Sequence, residues 1–332
     1  MNPTPLAIKT VIVTMFDPEP QSRWPSELER WVAGVPLTER VAFPIGDRDL
    51  RLNRDKGVLA VVTGVGNTKA AATVVGLGFD PRFDLRRAYW VVAGIAGANP
   101  IRMSIGSACW IDWVVDGDLT HDIDPREMPP QWPTGRIPLG KSEPYQLPVS
   151  TMTAKLAYRL NPSLVDWAYR LTEDSPLGDT TALGILRERF TKYPEARRPP
   201  LVRKGALLAS NSLWHGKLLN DWAECWVDYW TGGRGGFAMS AMEDAGIALA
   251  LEALARTGRA DANRLLILRA ASNFTMPGDG VTAAASLADE MREGFSAYVP
   301  ALDAAYRVAS RAVDQLLGHW DQYSNEIPGG KE

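Results

Sequence analysis

Six runs rich in Val, Ile and Leu, at residues 8–16, 58–65, 88–95, 107–115, 202–209 and 264–271, are each bounded by turn residues. A strand with one face in water alternates apolar and polar side chains; near-continuous apolar runs of this length belong to strands buried on both faces. Between several of them the apolar period lengthens to that of a helix, notably over 67–77, 151–170, 214–230, 242–257 and 282–317. Strands covered on both sides and interleaved with helices predict an α/β fold, a three-layer α/β/α sandwich around a central mixed sheet. Ligands of such a sheet gather at the carboxyl ends of its strands.

The 332 residues suit a single domain over 1–332 with two insertions. The segment 117–150, rich in Pro, Gly and Asp, is too long for a simple connector and reads as a lid, an oligomer contact or a disordered loop. The stretch 172–200, polar and ending in ARRPP, reads as a helical surface insertion. A net charge of -3 with no Lys/Arg-dense face argues against nucleic acid or an anionic membrane as partner, leaving small molecules or copies of the same chain. Cys109 and Cys225 make neither a disulfide framework nor a zinc site. No window approaches the roughly 20 apolar residues of a membrane-spanning helix. The amino terminus shows no export signal, so the expected compartment is the cytoplasm, or the periplasm or exterior if a signal has been removed.

Chemistry is concentrated at the ends of the apolar runs. In SAMEDAGIALALEAL, 240–254, Met242 and Glu243 open a small-residue helix; a carboxylate there either accepts vicinal hydroxyl protons of a sugar or complements the helix dipole. In VTGVGNTKAAATV, 62–74, the Gly64 and Gly66 turn offers the N–H groups of Gly66, Asn67 and Thr68 as an anion or hydroxyl cradle, or serves helix–strand packing. AGIAGANP, 93–100, ends a strand in Gly94, Ala96 and Gly97, where backbone can approach a ligand or bend tightly. LLASNSLWHGK, 207–217, presents Trp214 and His215; the indole either stacks on a planar base or anchors the helix that carries Leu218, Trp222 and Trp226. LILRAASNFTMPGDG, 265–279, finishes in Ser272 and Asn273, whose amide can donate to a heterocycle or cap the turn. The HDID run around His121 splays its side chains apart and is read as a polar loop, not a metal site.

Taken in order, VTMF, TGVGNTKAAAT, AGIAGANP, HDID, LWHGKLLNDWA, AMEDAG and LRAASNFTMPGDG resemble the purine nucleoside permease family of the nucleoside phosphorylase and nucleosidase superfamily over nearly the whole chain. The resemblance implies that Met242 and Glu243 match a ribose-binding pair, that Trp214 falls where a base-stacking aromatic sits, and that Ser272 and Asn273 match a Ser-Asp pair whose Asp assists departure of the purine. An amide cannot give up a proton, so help must come by hydrogen bonding to a base that accepts negative charge, as a 6-oxopurine does better than adenine, or from another acid such as His215 or Asp279. Asp17 falls near the superfamily's water-activating Glu and is either the general base or a turn former before Pro18. Positions where phosphorolytic members hold phosphate correspond to Val92 and Ile95, which favours hydrolysis, although Arg23, Arg48, Arg102 or Arg126 could supply another phosphate site. The implied activity is cleavage of the N-glycosidic bond of a purine nucleoside, with no metal or organic cofactor and inorganic phosphate as the one alternative co-substrate. Binding without cleavage, in aid of nucleoside uptake, is the rival. The superfamily also implies a homo-oligomer, a dimer or ring of dimers.

Overall fold

A computed structural model describes residues 4–19, 21–152, 155–293 and 297–330. Among these the main sheet has ten strands: β1 (Thr10–Thr14), β2 (Glu39–Val41), β3 (Leu50–Asn53), β4 (Val58–Val62), β5 (Tyr89–Ala98), β6 (Ala108–Asp116), β7 (Ala157–Arg159), β8 (Val202–Ala209), β9 (Phe237–Ala241) and β10 (Leu265–Phe274). Their order is β7-β6-β8-β9-β5-β1-β4-β3-β2, with β10 beside both β5 and β6, so β6, β8, β9, β5 and β10 close on themselves. β1 runs parallel to β4 and β5, β10 parallel to β5, and β8 parallel to β6 and β9; β9 runs antiparallel to β5, and β10 to β6. The sheet is mixed, and all five residues of β1 and of β4 are buried, as continuous apolar runs require.

Six helices matter for the site: α1 (Asn67–Gly78), α2 (Pro162–Thr172), α3 (Lys217–Thr231), α4 (Asp244–Arg256), α5 (Ala283–Glu293) and α6 (Tyr298–Gly318). α6 packs on β5 and β10 with α2 beside it, whereas α1 packs on α4 and α3 lies along β8 and β9. The result is an α/β/α sandwich around a mixed sheet.

Differences from the sequence reading have local causes. β9 is missing from it because FAMSA is short, with two bulky residues and no β-branched ones. The 151–170 pattern holds strand β7 before Asn161 accepts from the Ser163 and Leu164 N–H groups and Pro162 starts α2. The 282–317 pattern is two helices, α5 and α6. The 117–150 segment carries a small hairpin, Thr120–Asp122 with Arg136–Pro138, and the 172–200 stretch a helix at Thr181–Glu188.

One close approach sets the geometry below. Gly246, in the first turn of α4, donates its N–H to Asn67 Oδ1 at 3.0 Å, and a Cβ added to it would lie 2.1 Å from the Asn67 carbonyl oxygen. The starts of α1 and α4 therefore interlock backbone to backbone. Gly246→Ala is expected to lower stability by about 2–3 kcal/mol, because neither backbone can move without opening the sheet contacts beneath it. Thermal unfolding checks this; an unchanged Tm would mean that the two helices are free to separate.

Candidate active site

At the carboxyl ends of β1, β5, β9 and β10 lies a cavity of about 330 Å³. Met15 and Phe16 follow β1, Ile95, Ala96 and Gly97 come from β5, Ser240 and Ala241 from β9, and Ser272 and Asn273 from β10. Met242 and Glu243, between β9 and α4, complete its floor. Trp24 and Tyr298, with ring centroids 5.0 Å apart, form an aromatic wall, and the partly exposed side chains of Val65, Leu213 and Met291 border it.

The floor holds a buried charge cluster. Arg269, 1% exposed within β10, gives Nη2 to Asp244 Oδ2 at 2.7 Å and to Glu243 Oε2 at 2.9 Å, Nε to Asp244 Oδ1 at 3.2 Å, and Nη1 to the Ile95 carbonyl at 3.1 Å. Burial works against its charge, but Asp244, Glu243 and Glu27 outweigh that and hold the guanidinium above its ordinary range. Glu243 also accepts the Gly66 N–H on Oε1 at 3.2 Å and its neighbour Met242 N–H on Oε2 at 3.3 Å. Burial raises its pKa, against the pull of Arg269. Arg269 thus compensates a carboxylate that would otherwise be costly to bury, and a cavity still lies alongside.

A third carboxyl of this cluster lines the cavity beside Glu243. Glu27 accepts the N–H groups of Met15 at 2.8 Å and Phe16 at 3.2 Å on Oε2, and of Ile95 at 2.9 Å on Oε1. Burial pushes its pKa up to about 7; Arg269 and the backbone donors oppose the shift, and Glu243 adds to it. A carboxyl poised near neutrality, fixed by three backbone donors and facing a cavity, has the properties of a general base. Gly94 makes room for the cluster: a Cβ there would lie 2.1 Å from Met15 Cε and 2.6 Å from Glu27 Oε1.

The structure gathers Ala96, Gly97, Met242, Glu243, Ser272 and Asn273 around one cavity and leaves four expected residues off its wall. Asp17 is partly exposed, 3.7 Å from Arg48 Nε, and borders a neighbouring groove across Trp24. Trp214 is a core anchor, packed on Trp222 and Phe237 at centroid distances of 6.0 Å each. The helix that follows it has an apolar face, and the indole joins that face; Leu213 borders the cavity instead. His215, its pKa lowered by burial, has Nε2 3.0 Å from Ser286 Oγ. Gly66 meets the site only through its N–H to Glu243.

The expected anion cradle at the Gly66 turn is thereby used internally, because the Asn67 N–H donates to Asn211 Oδ1 at 2.9 Å. Asp118 holds that arrangement, accepting from Ser210 Oγ at 2.6 Å and from the Asn211 N–H and amide at 2.8 and 2.7 Å. Arg48 pairs with Glu19, Arg102 with Glu224 and Arg126 with Asp124, and Arg23 donates to the Met291 carbonyl.

Sequence reasoning missed Glu27, Arg269, Trp24 and Tyr298. For Arg269 a signal existed: a lone cation inside the run LLILRAA must be paired when buried. Glu27, in PSELERW, looks like any acid at the start of a surface helix.

A family model described as purine nucleoside permease matches residues 7–328. The chain belongs to the purine nucleoside permease family. Among curated members, a probable purine nucleoside permease of Schizosaccharomyces pombe is 26% identical over 326 residues, covering 95% of this chain and 91% of the relative. The purine nucleoside permease of Candida albicans is 24% identical over 320 residues, covering 95% and 76%. Among solved structures, a putative 5′-methylthioadenosine/S-adenosylhomocysteine nucleosidase of Francisella philomiragia superposes with a TM-score of 0.55 at 14% identity, covering 94% of this chain and 99% of that one. Futalosine hydrolase of Helicobacter pylori gives 0.55 at 12% identity, covering 93% and 98%. At these identities the likeness establishes a shared nucleosidase fold for this permease-family chain.

Proposed function

We propose that this permease-family chain hydrolyses the N-glycosidic bond of purine nucleosides to free base and ribose. One arrangement carries the reading: two buried carboxyls, Glu243 and Glu27, face the same cavity as the amide of Asn273. Glu243 grips the ribose hydroxyls through the acceptor position left on Oε1. Glu27 takes a proton from the water that attacks the anomeric carbon, and Asn273 bears charge developing on the base. Phe16, Trp24 and Tyr298 supply the aromatic surface first expected of Trp214.

Water is favoured over phosphate on electrostatic grounds. The Gly66 and Asn67 N–H groups are taken by Glu243 and Asn211, and Arg269, the one arginine on the cavity wall among the described residues, already has two carboxylate partners. A dianion would also face Glu27.

A second reading, nucleoside binding that serves uptake, is favoured by the names of the curated relatives. Among the described residues no helix is long and apolar enough to cross a membrane. Incubation with inosine, guanosine, adenosine and uridine, with and without phosphate, separates the cases. Free purine without phosphate is the expected result. Release only with phosphate would replace hydrolysis by phosphorolysis, and tight binding with no release would leave the uptake reading.

A further inference from the structure

We propose that Asp118, at the start of the 117–150 insertion, is a positioning residue for Glu243: it orders two asparagine amides and, through them, the backbone around the carboxylate; this rests on Glu243 as ribose ligand and deepens that reading. Asp118 does not line the cavity. It lies two residues beyond β6, where the Gly117 N–H donates to the Ala209 carbonyl at 2.8 Å and so holds the start of the insertion against the end of β8.

An ionised carboxylate only accepts, so it admits only the NH2 end of an amide. Asp118 Oδ2 accepts from Asn211 Nδ2 at 2.7 Å, the Asn211 N–H at 2.8 Å and Asn67 Nδ2 at 3.3 Å, and Oδ1 accepts from Ser210 Oγ at 2.6 Å. Both amides thereby direct their oxygens away from Asp118. Asn211 Oδ1 accepts the Asn67 N–H at 2.9 Å, and Asn67 Oδ1 accepts the Gly246 N–H at 3.0 Å. Turned the other way, each amide would set a donor against a donor, and both bonds would be lost.

The two ends of this chain of bonds flank Glu243. At one end, the Gly66 N–H donates to Glu243 Oε1 at 3.2 Å. Gly66 has a φ of +104°, and a Cβ there would lie 2.9 Å from Asn211 Oδ1, so the Asn211 amide rests directly on the turn that reaches the carboxylate. At the other end, Gly246 lies in the first turn of α4, three residues after Glu243. Arg269 holds Oε2 at 2.9 Å. The Asp118 network therefore governs Oε1, the oxygen with an acceptor position open to the ribose.

The test compares kcat/KM for inosine and 2′,3′-dideoxyinosine. Asp118→Ala should lower the value for inosine by about 10- to 100-fold and shrink the preference for the ribonucleoside to about 10-fold or less, as displacement of a positioned group does. Asp118 and Asn211 lie at the surface, so their variants should fold. Asp118→Asn should recover most of the loss, since one oxygen can stay on the asparagine donors while the Ser210 hydroxyl turns to accept, and Asn211→Ala should give a smaller loss of the same kind. In a Glu243→Ala background, Asp118→Ala should cost less than about twofold more, because it acts through that carboxylate. A full ribose preference in Asp118→Ala, or penalties that multiply in the double variant, would overturn the proposal. Amide exchange gives a readout without substrate: the Gly66, Asn67 and Gly246 N–H groups should exchange at least about ten-fold faster in Asp118→Ala than in the wild type. If the wild type cleaves no nucleoside, or Glu243→Ala keeps the ribose preference, the underlying reading fails separately and exchange decides: faster exchange at these amides supports the positioning role, and unchanged exchange overturns it.

Discussion

Glu243→Ala is expected to lower kcat/KM for a ribonucleoside by about 10²–10³-fold, the scale of losing one preorganised polar group at a transition state. An ionised carboxylate has about four acceptor positions. The Gly66 N–H, the Met242 N–H and Arg269 occupy three, so one on Oε1 is open beside the cavity, and the long Met242 contact can yield a second. Arg269 keeps both contacts to Asp244, so the variant should fold, with stability lower by about 1–3 kcal/mol for the charged partner removed. A merely structural role would reduce activity on every substrate alike. Contact with ribose instead makes the loss selective: the wild type should prefer inosine over its 2′,3′-dideoxy analogue by about 100-fold, and the variant should barely distinguish them. A variant that retains the preference would remove Glu243 from the ribose site.

Glu27→Gln is expected to cut kcat by about 10²–10⁴-fold with little change in KM, whereas Asp17→Asn should stay within about twofold. The two acids differ in setting, not in type: Glu27 faces the cavity among backbone donors, and Asp17 faces Arg48 beside another groove. Gln must turn its amide NH2 toward one of those donors, which costs about 1–3 kcal/mol, so the assay belongs well below the variant's Tm. The pH profile gives an independent check. A base works deprotonated, so kcat/KM should rise with pH through about 7, where burial has placed Glu27, and level off above it. At one pH unit below that midpoint the rate should be roughly a tenth of the plateau. The charged groups acting on Glu27 are Arg269, which favours its ionised form, and Glu243, which opposes it. A profile flat from about pH 5 to 8 would indicate an ordinary solvated carboxylate and exclude Glu27 as the base.

The residues at strand ends were legible because strands announce themselves. Ala96, Gly97, Ser272 and Asn273 follow apolar runs whose burial is dictated by composition, and Met242 and Glu243 open a small-residue helix; an α/β sheet then brings such ends together. Asp17 and Trp214 failed for a common reason: each was chosen by its position along the chain. A side chain's direction depends on what packs against it. Trp214 is drawn into the Trp222 and Phe237 cluster, and the loop after β1 turns Asp17 toward Arg48.

Hydrophobic periodicity alone determined the layered α/β sandwich, most strand positions and the row of glycines and small polar residues at their ends, since burial of a continuous apolar run leaves few alternatives. Only the tertiary structure decided which carboxyl faces the cavity, because Glu27 reaches it by meeting the backbone of two strands far apart in sequence. The same holds for Arg269, whose partners lie on the preceding helix and the adjacent strand. Charges in a low-dielectric interior are set by neighbours at about 3 Å, and those neighbours are assembled by the fold, not by the local sequence.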